Sequence, residues 1–573
     1  MQGYGHASGD SHKKKKRIAI ITVSSLILVA MVVAVAVGVK GTSKASTESA
    51  GQPSGDIKAS QKAIEAICKP TDYKETCIKS LSGVAGNTSD PKELIKASFT
   101  VAMDNIKVAL KNSNTMKELE KDKGAKDALR ICQELMEFAI DDLKRSFDES
   151  GKFDLTHMDK FVDDLKVWLG ASLTFQETCL EGFENTTGNA GEAMRKALKS
   201  SNELTRNGIA IVDKITSIIS SFGFQFKRRL LSETEANVDG FPSWVTPQKR
   251  RLLQANVIKA NVVVAQDGTG KYKTITEALN EVPNKNAQPF VIHIKQGVYV
   301  ETVRVLKTMT NVVFIGDGPL KTKVTGKRSF GGGYKTIDTA TVAVMGDGFV
   351  AKNIGFENSA GAVNHQAVAL RVQSDRSVFF NCQMDGYQDT LYVHTYRQFY
   401  RDCTVSGTID FIFGNAQAVL QNCRLVVRKP LDNQLNAVTA QGRNERHETS
   451  AIVLQGCSIV ADPLYFPVRH TIKTYLGRPW KAYSRTIIMH TQLDDFIQPA
   501  GWHEWNGPLY LDTCFYSEYQ NKGPGSNLAG RVKWPCIKTI TPNEALEFTP
   551  AKYFTGDEWI KQAAVPYVPG MMR

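Results

Sequence analysis

At 573 residues the chain is long enough for two or three domains with ample core. Its 71 Lys+Arg against 58 Asp+Glu leave a net charge of +13, which points to a polyanionic partner: nucleic acid, an anionic membrane surface or an acidic polysaccharide. Residues 254–573 alone hold 34 Lys+Arg against 26 Asp+Glu, a net +8, so the excess is not confined to a tail.

The first 56 residues read as a basic cytosolic tail, an apolar span and a linker. Lys13-Lys-Lys-Lys-Arg17 precedes Ile18 to Val39, 22 residues without a charge. That run is long enough to cross a bilayer as a helix, and the basic flank holds its N-terminal side in the cytosol. It exceeds a usual signal-peptide core, so a signal anchor at 18–39 is expected rather than a cleaved signal, with a buried core helix as the alternative. Membrane contact is expected only through this anchor. Residues 40–56, rich in Ser, Thr and Gly, read as a linker.

Everything beyond the anchor is expected to enter the secretory pathway. An even count of ten cysteines suits an oxidising compartment. The sequons at Asn87 and Asn185 become candidate glycan sites. No Cys-x-x-Cys pair or His cluster has zinc spacing, so disulfides are favoured over a metal, and no cofactor is expected. Nucleic-acid binding conflicts with export and lacks a motif.

Residues 57–225 carry helical stripes. Ile95, Phe99, Met103, Ile106 and Leu110 follow a step of three or four, as do Leu129, Cys132, Leu135, Ala139 and Leu143. Leu165, Trp168, Ser172, Phe175 and Cys179 form another such stripe. Four amphipathic segments with short connectors predict an all-α, antiparallel four-helix bundle. Its cysteines, Cys68, Cys77, Cys132 and Cys179, allow three pairings on spacing alone. Nothing here has catalytic spacing; a structural or pro-region and a module that binds a protein both fit.

Residues 226–253 read as a linker bracketed by Lys227-Arg-Arg-Leu-Leu231 and Lys249-Arg-Arg-Leu-Leu253. Two near-identical basic sites at a domain boundary predict cleavage by a processing protease.

From 254 to 573 the pattern becomes short β-rich runs broken by Gly, Asn and Asp, such as Asn311-Val-Val-Phe-Ile-Gly-Asp and Ala418-Val-Leu-Gln-Asn-Cys. Asp389 and Asp410 are 21 residues apart, and so are Cys382 and Cys403, while Cys423 follows 20 residues later. A shared interval for unlike residue types is a structural period. It predicts a right-handed parallel β-helix, with equivalent positions stacked at about 4.8 Å; a β-sandwich would explain the alternation but not the shared offset. Stacking puts Cys403 and Cys423 within disulfide reach, the pairing expected here, with Cys382 and Cys457 as competitors. It also makes vertical neighbours of Asp389 and Asp410. Two carboxylates so placed interact by roughly 3 kcal/mol at an effective dielectric near 20, so one holds a proton while the other ionises.

The helical segment resembles the plant invertase/pectin-methylesterase inhibitor family, on Cys68-x8-Cys77 and two later cysteines on successive helices. That resemblance implies Cys68–Cys77 and Cys132–Cys179. The last 320 residues are similar to plant pectin methylesterases. The matching motifs are Gly297-Val-Tyr-Val-Glu301, Gly386-Tyr-Gln-Asp-Thr-Leu-Tyr392, Asp410-Phe-Ile-Phe-Gly-Asn-Ala416, Leu476-Gly-Arg-Pro-Trp480 and Gly501-Trp-His-Glu-Trp505. The loop from Phe330 to Thr341 departs from commoner versions of the family.

The resemblance implies an esterase acting on methyl-esterified homogalacturonan in the cell wall, held silent by its own pro-region and open to separate inhibitor proteins. It implies Asp410 as nucleophile, Asp389 as acid and base, and Arg478 as the cation that holds Asp410 ionised. Gln366 and Gln388 match oxyanion positions. Thr336, Gln366, Arg478 and Trp480 match substrate contacts, although Trp480 beside Pro479 could equally be wall packing. Gln388 and Asp389 are adjacent, and strand neighbours point to opposite faces, so a bend is required between them. A β-helix glycosidase and an inactive secreted inhibitor or binding protein are the alternatives. Gly-x-Ser-x-Gly is absent, which disfavours a serine hydrolase.

Overall fold

A computed structural model describes residues 54–84, 86–111, 123–150, 158–184, 186, 188–215, 217–218 and 259–572. The apolar run at 18–39, the linker at 40–53, both Arg-Arg-Leu-Leu sites and Asn185 lie outside them. Among the described residues no helix is long and apolar enough to cross a membrane. From Ala59 to Arg573 the chain forms one compact unit.

Six helices open the described chain: α1 Ser54–Cys68, α2 Lys74–Val84, α3 Pro91–Lys111, α4 Lys123–Ser150, α5 Met158–Gly182 and α6 Ala190–Asp213. The last four pack α3 on α4, α4 on α5, α5 on α6 and α6 back on α3, closing a four-helix bundle. The helical stripes are its interior. Leu129, Cys132, Leu135, Ala139 and Leu143 of α4 meet Leu165, Trp168, Phe175 and Cys179 of α5, all buried. The cysteines pair as Cys68–Cys77, which closes the α1–α2 hairpin, and Cys132–Cys179, which ties α4 to α5. Asn87 sits exposed in the turn between α2 and α3.

From Val262 the chain winds into a parallel β-helix with three sheets. The ten-stranded sheet runs from Val262–Val264 to Phe515–Tyr519, the eight-stranded from Gly297–Val300 to Gln492–Leu493, and the seven-stranded from Val303–Val305 to Thr474–Gly477. Every strand pairing is parallel, and Ser377↔Gln398, Met384↔Val405 and Leu391↔Ile412 give the 21-residue coil directly.

Turn residues cause this period. Asn353, Asn381, Asp402 and Asn422 each take a left-handed backbone, φ 50–57°, between the ten- and eight-stranded sheets. Asn and Asp tolerate that region because their short polar side chains bond locally. Here those side chains bond to one another across coils, Asn381 Nδ2 to Asn353 Oδ1 at 2.7 Å and Asn422 Nδ2 to Asp402 Oδ1 at 2.6 Å. The interior is filled by stacked apolar side chains, including Phe314, Phe349, Phe379 and Tyr400 in successive ring contact. At the N-terminal end a short helix, Ile275–Leu279, fixed by a Thr274/Glu277 capping box, buries Ile275, Ala278 and Leu279 against that interior.

One expected disulfide is corrected. Cys403 and Cys423 are not bonded; with Cys382 and Cys457 they form a ladder of buried free thiols. Identical positions on parallel coils point the same way, so each sulfur donates toward a carbonyl of the coil before it. Cys403 faces Phe379 O at 3.5 Å and Cys423 faces Tyr400 O at 3.6 Å. Burial pushes these two thiols well above their usual range, which keeps them protonated and inert. The pair that does form is Cys514–Cys536.

Candidate active site

The seven-stranded sheet carries the candidate residues. Asp389 stands two residues before its Leu391–Val393 strand, Asp410 two before Ile412–Gly414, and Arg478 follows Thr474–Gly477. Both aspartates again have a left-handed backbone, φ 63° and 51°. Asp389 N donates to Ile409 O at 3.0 Å and Leu391 N to Phe411 O at 2.9 Å, so the two turns are stacked one coil apart. The left-handed turn at Asp389 supplies the bend that the Gln388–Asp389 neighbourhood requires.

Arg478 grips Asp410 with a planar fork: Nε to Oδ1 at 2.8 Å and Nη2 to Oδ2 at 2.6 Å. Two parallel charge-assisted bonds of this kind suit an anionic carboxylate. Burial lowers the guanidinium's pKa, but Asp410 and then Asp389 outweigh it, and the net shift is upward. Its other face lies on the indole of Trp505, 4.5 Å from the ring centroid. Asp389 lacks any such fork. Burial first, and the Asp410 charge second, push its carboxyl well above the usual range, and the more distant Arg478 offsets them only in part. The arrangement therefore holds one carboxylate with a cation and one carboxylic acid with a proton, a coil apart.

Gln366 and Gln388 are half-buried on consecutive coils, linked by Ala367 N to Gln388 O at 3.1 Å. Among the described residues no hydrogen bond engages either carboxamide, which leaves both as available donors. Thr336 opens a short 3₁₀ turn, Thr336–Asp338, in the loop ahead of the Val342–Val344 strand. Trp480 sits edge-on to Phe413 at 5.9 Å, and a Cβ at Gly442 would come within 2.8 Å of its ring. Glycine at 442 is thus what lets the indole lie flat there.

Two features escaped the sequence reading. Trp505 was visible only as part of a motif, and its place under Arg478 comes from the next coil, where Trp502 bridges to Gly477. The other is a stacked aromatic pair on the cleft floor, Tyr392 on Phe413 at 4.2 Å. Its signal was present, since the two are 21 residues apart.

The bundle covers this same sheet. Its apolar core continues without a break onto Ile337, Ala343, Met345, Tyr392, Tyr396, Phe413 and Ala440, with Trp480 and Trp505 at the margin. Polar contacts fix the register: Tyr396 Oη donates to Asp142 at 2.7 Å, Asn415 Nδ2 to Thr174 Oγ1 at 2.9 Å, and Thr178 Oγ1 meets His394 Nε2 at 3.0 Å. Arg397, held by both oxygens of Asp375, reaches Asp164 of α5 at 2.6 Å. The gap between α5 and the sheet is about 20 Å³, room for roughly one water.

Comparison with known proteins gives the same two parts. Residues 261–557 match the family model described as Pectinesterase, and residues 62–211 match that described as Plant invertase/pectin methylesterase inhibitor. The "Probable pectinesterase/pectinesterase inhibitor 21" of Arabidopsis thaliana is 52% identical over 99% of this chain and 84% of its own. "Pectinesterase 1" of Citrus sinensis is 39% identical over 98% and 96%. Among solved structures, "Pectin methylesterase from Carrot" superposes with a TM-score of 0.55 at 47% identity, covering 55% of this chain and all of that one. The chain is a right-handed parallel β-helix with a helical bundle laid on its cleft, and it belongs to the pectinesterase family.

Proposed function

We propose that this pectin methylesterase cleaves the methyl esters of cell-wall homogalacturonan through Asp410 and Asp389, and that its bundle silences it until a protease cuts the linker. The observation that carries the catalytic assignment is the asymmetry between the carboxylates: Arg478 forks onto Asp410 alone, while Asp389, a coil away, has no cation of its own and is raised first by burial and then by the Asp410 charge.

In that reading an Asp410 oxygen attacks the ester carbon, and the negative charge moves to the carbonyl oxygen, where Gln366 and Gln388 donate hydrogen bonds. The intermediate collapses as the C–O bond to methanol breaks and Asp389 gives the departing oxygen its proton. An acyl anhydride on Asp410 remains. Water then attacks it, Asp389 takes the water's proton, and the bond to Asp410 breaks to release the galacturonate carboxyl. Both aspartates return to their starting states. No redox step or bound metal is called for. Methanol release without chain shortening separates this reaction from glycosidic cleavage.

Autoinhibition is supported by cover. With the bundle in place Asp389 and Asp410 are 7% and 5% exposed. A polysaccharide cannot lie on a sheet whose outer face is an apolar core. Export, residence of the processed enzyme in the wall and anchoring of the precursor by residues 18–39 complete the proposal. Separate inhibitor proteins would use the surface that the bundle vacates.

The buried interface makes the silencing pH-dependent. Burial pushes Asp142, under Tyr396 and near Lys307, Arg145 and Asp347, up to about 7, and Glu448, near Arg443, Arg206 and Glu445, also to about 7. Burial also holds His394 well below its usual range, where it faces Thr178, Gln373 and Arg371. Docking thus takes up protons at these carboxyls and at Glu181, which burial also raises beside Lys481, and gives one up at His394, over the window between the ordinary carboxyl values and that of imidazole. The carboxyl contribution is fully present in acid and is lost as pH rises toward 7; the imidazole opposes it. Because the raised carboxyls outnumber the imidazole, docking takes up protons on balance and weakens as pH rises through that window. An uncleaved chain should therefore leak more methanol, relative to the released enzyme, at pH 7 than at pH 5. An equal ratio at both would count against the interface as the silencing contact.

The net +8 of residues 254–573 supports a second expectation. Rising salt should raise the KM for polymeric pectin more than for a short neutral ester, since exposed charges are screened over about 8 Å at physiological ionic strength. Equal salt profiles for the two substrates would remove bulk charge from the account.

A further inference from the structure

One register row crosses the seven-stranded sheet as Arg304, Ala343, Arg371, Tyr392, Phe413 and Ala440. In-register parallel partners point to the same face. Ala343, Tyr392, Phe413 and Ala440 pack toward the bundle, whereas Leu370 and Val372, the chain neighbours of Arg371, fill the β-helix interior. Arg371 therefore points out of the sheet, into the cleft floor that the bundle covers.

It is an unusual arginine. It is 3% exposed, and its Nε has no hydrogen-bond partner. Nη1 donates to Ile337 O at 3.2 Å, and Nη2 lies 3.7 Å from Met345 Sδ. Among the described residues no carboxylate forms an ion pair with it. Three cations on the same covered face are matched by the bundle, Arg304 by Glu134, Lys307 by Asp141 and Lys481 by Glu181, and Arg478 is matched by Asp410. A buried guanidinium without a carboxylate costs stability that a neutral side chain would avoid, and with Nε unpartnered and the two Nη groups on a carbonyl and a thioether its fork is only partly filled.

We propose that Arg371 is a specificity-determining residue that receives the free carboxylate of an already de-esterified galacturonate ring, next to the methyl ester being cleaved. The inference rests on the esterase reading above. The fork of an arginine matches a carboxylate with two bonds, whereas a methyl ester offers no charge and only weak acceptors. Its place fits a polymer lying obliquely to the helix axis. Arg371 is in register with Tyr392 and Phe413, each three residues beyond an aspartate, so it lies one and two coils (about 5 and 10 Å) along the axis and about 10 Å across it from the acid pair, a span that a chain of several rings covers. The matched neighbours show that carboxylates are accepted on this floor; in the precursor the bundle supplies them to Arg304, Lys307 and Lys481, Asp410 supplies one to Arg478, and Arg371 has none in an ion pair. Preference for an ester beside a free acid would extend existing de-esterified runs.

The test uses residues 254–573 released from the bundle, whose carrot counterpart is a complete chain. Two galacturonate oligomers of one length are compared, one fully methylated and one with alternate rings de-esterified, by kcat/KM for methanol release. The wild type should favour the partly de-esterified oligomer. In Arg371→Gln the loss on that oligomer should exceed the loss on the fully methylated one by roughly 10- to 100-fold, mostly in KM. Arg371→Lys, which keeps the charge but not the fork, should fall between. Equal losses on both oligomers would mark Arg371 as merely structural, and a wild type without preference would also overturn the proposal. If Arg371→Gln does not fold, as judged by circular dichroism and melting, Arg371→Lys decides: an unchanged preference ratio refutes it. Absence of methanol from either oligomer with wild-type enzyme would instead refute the esterase reading.

Discussion

Asp410→Asn is expected to abolish methanol release from methylated pectin while the protein still binds the polymer. An amide is a far weaker nucleophile than a carboxylate and cannot form the anhydride. The substitution also leaves Arg478 without its counter-charge in a site where the guanidinium is mostly buried. Asp389→Asn should be milder, lowering kcat by roughly 10²- to 10⁴-fold, because it removes proton transfer but not attack. The two variants also differ in pH response. Wild-type activity should fall as pH rises and Asp389 loses its proton, a limb that burial and the Asp410 charge move above the ordinary carboxyl range. Asp389→Asn should lose that alkaline limb. Wild-type rates in either variant would end the two-carboxylate mechanism, and an unchanged alkaline limb in Asp389→Asn would remove Asp389 from the acid role.

How much of this was legible in the sequence depended on what repeats. The 21-residue interval was readable because a left-handed turn residue recurs on each coil, and that same turn carries Asn381 and Asp402 on one side of the β-helix and Asp389 and Asp410 on the other. Stripes such as Leu129 to Leu143 were readable because a helix buries one face. What could not be read was direction within a repeat. Cys403 and Cys423 are close enough to bond in register, yet parallel coils aim both sulfurs the same way. Arg371 carried no such signal; that it lacks an ion pair while Arg304, Lys307 and Lys481 have one depends on carboxylates of the bundle far away in sequence. The contact between Asp164 and Arg397 is of the same kind. Pairings between modules leave no periodic trace in a single chain.

Failure to cut the linker should leave the enzyme silent. A tethered bundle faces its own cleft at an effective concentration in the millimolar range, so even micromolar intrinsic affinity would leave only about one molecule in a thousand open. Replacing Arg228, Arg229, Arg250 and Arg251 together with alanine should accumulate the full-length chain in the secretory pathway, with methanol release lowered by that order. Two outcomes count against the proposal: normal cleavage and export of this variant, or an uncleaved chain that releases methanol at the rate of the processed enzyme. Cleavage and inhibition can be separated by opening the interface without cutting it. Asp164 of α5 accepts from Arg397 at 2.6 Å and from Arg376 at 3.1 Å. Adding Asp164→Arg to the uncleavable chain puts three guanidinium groups where one carboxylate had joined two. Like charges at such distances, partly shielded from water, repel by several kcal/mol, enough to offset the advantage of the tether. Methanol release should then return while the chain stays intact on a denaturing gel. Continued silence of an intact, folded Asp164→Arg variant would mean that something other than the docked bundle keeps the precursor inactive.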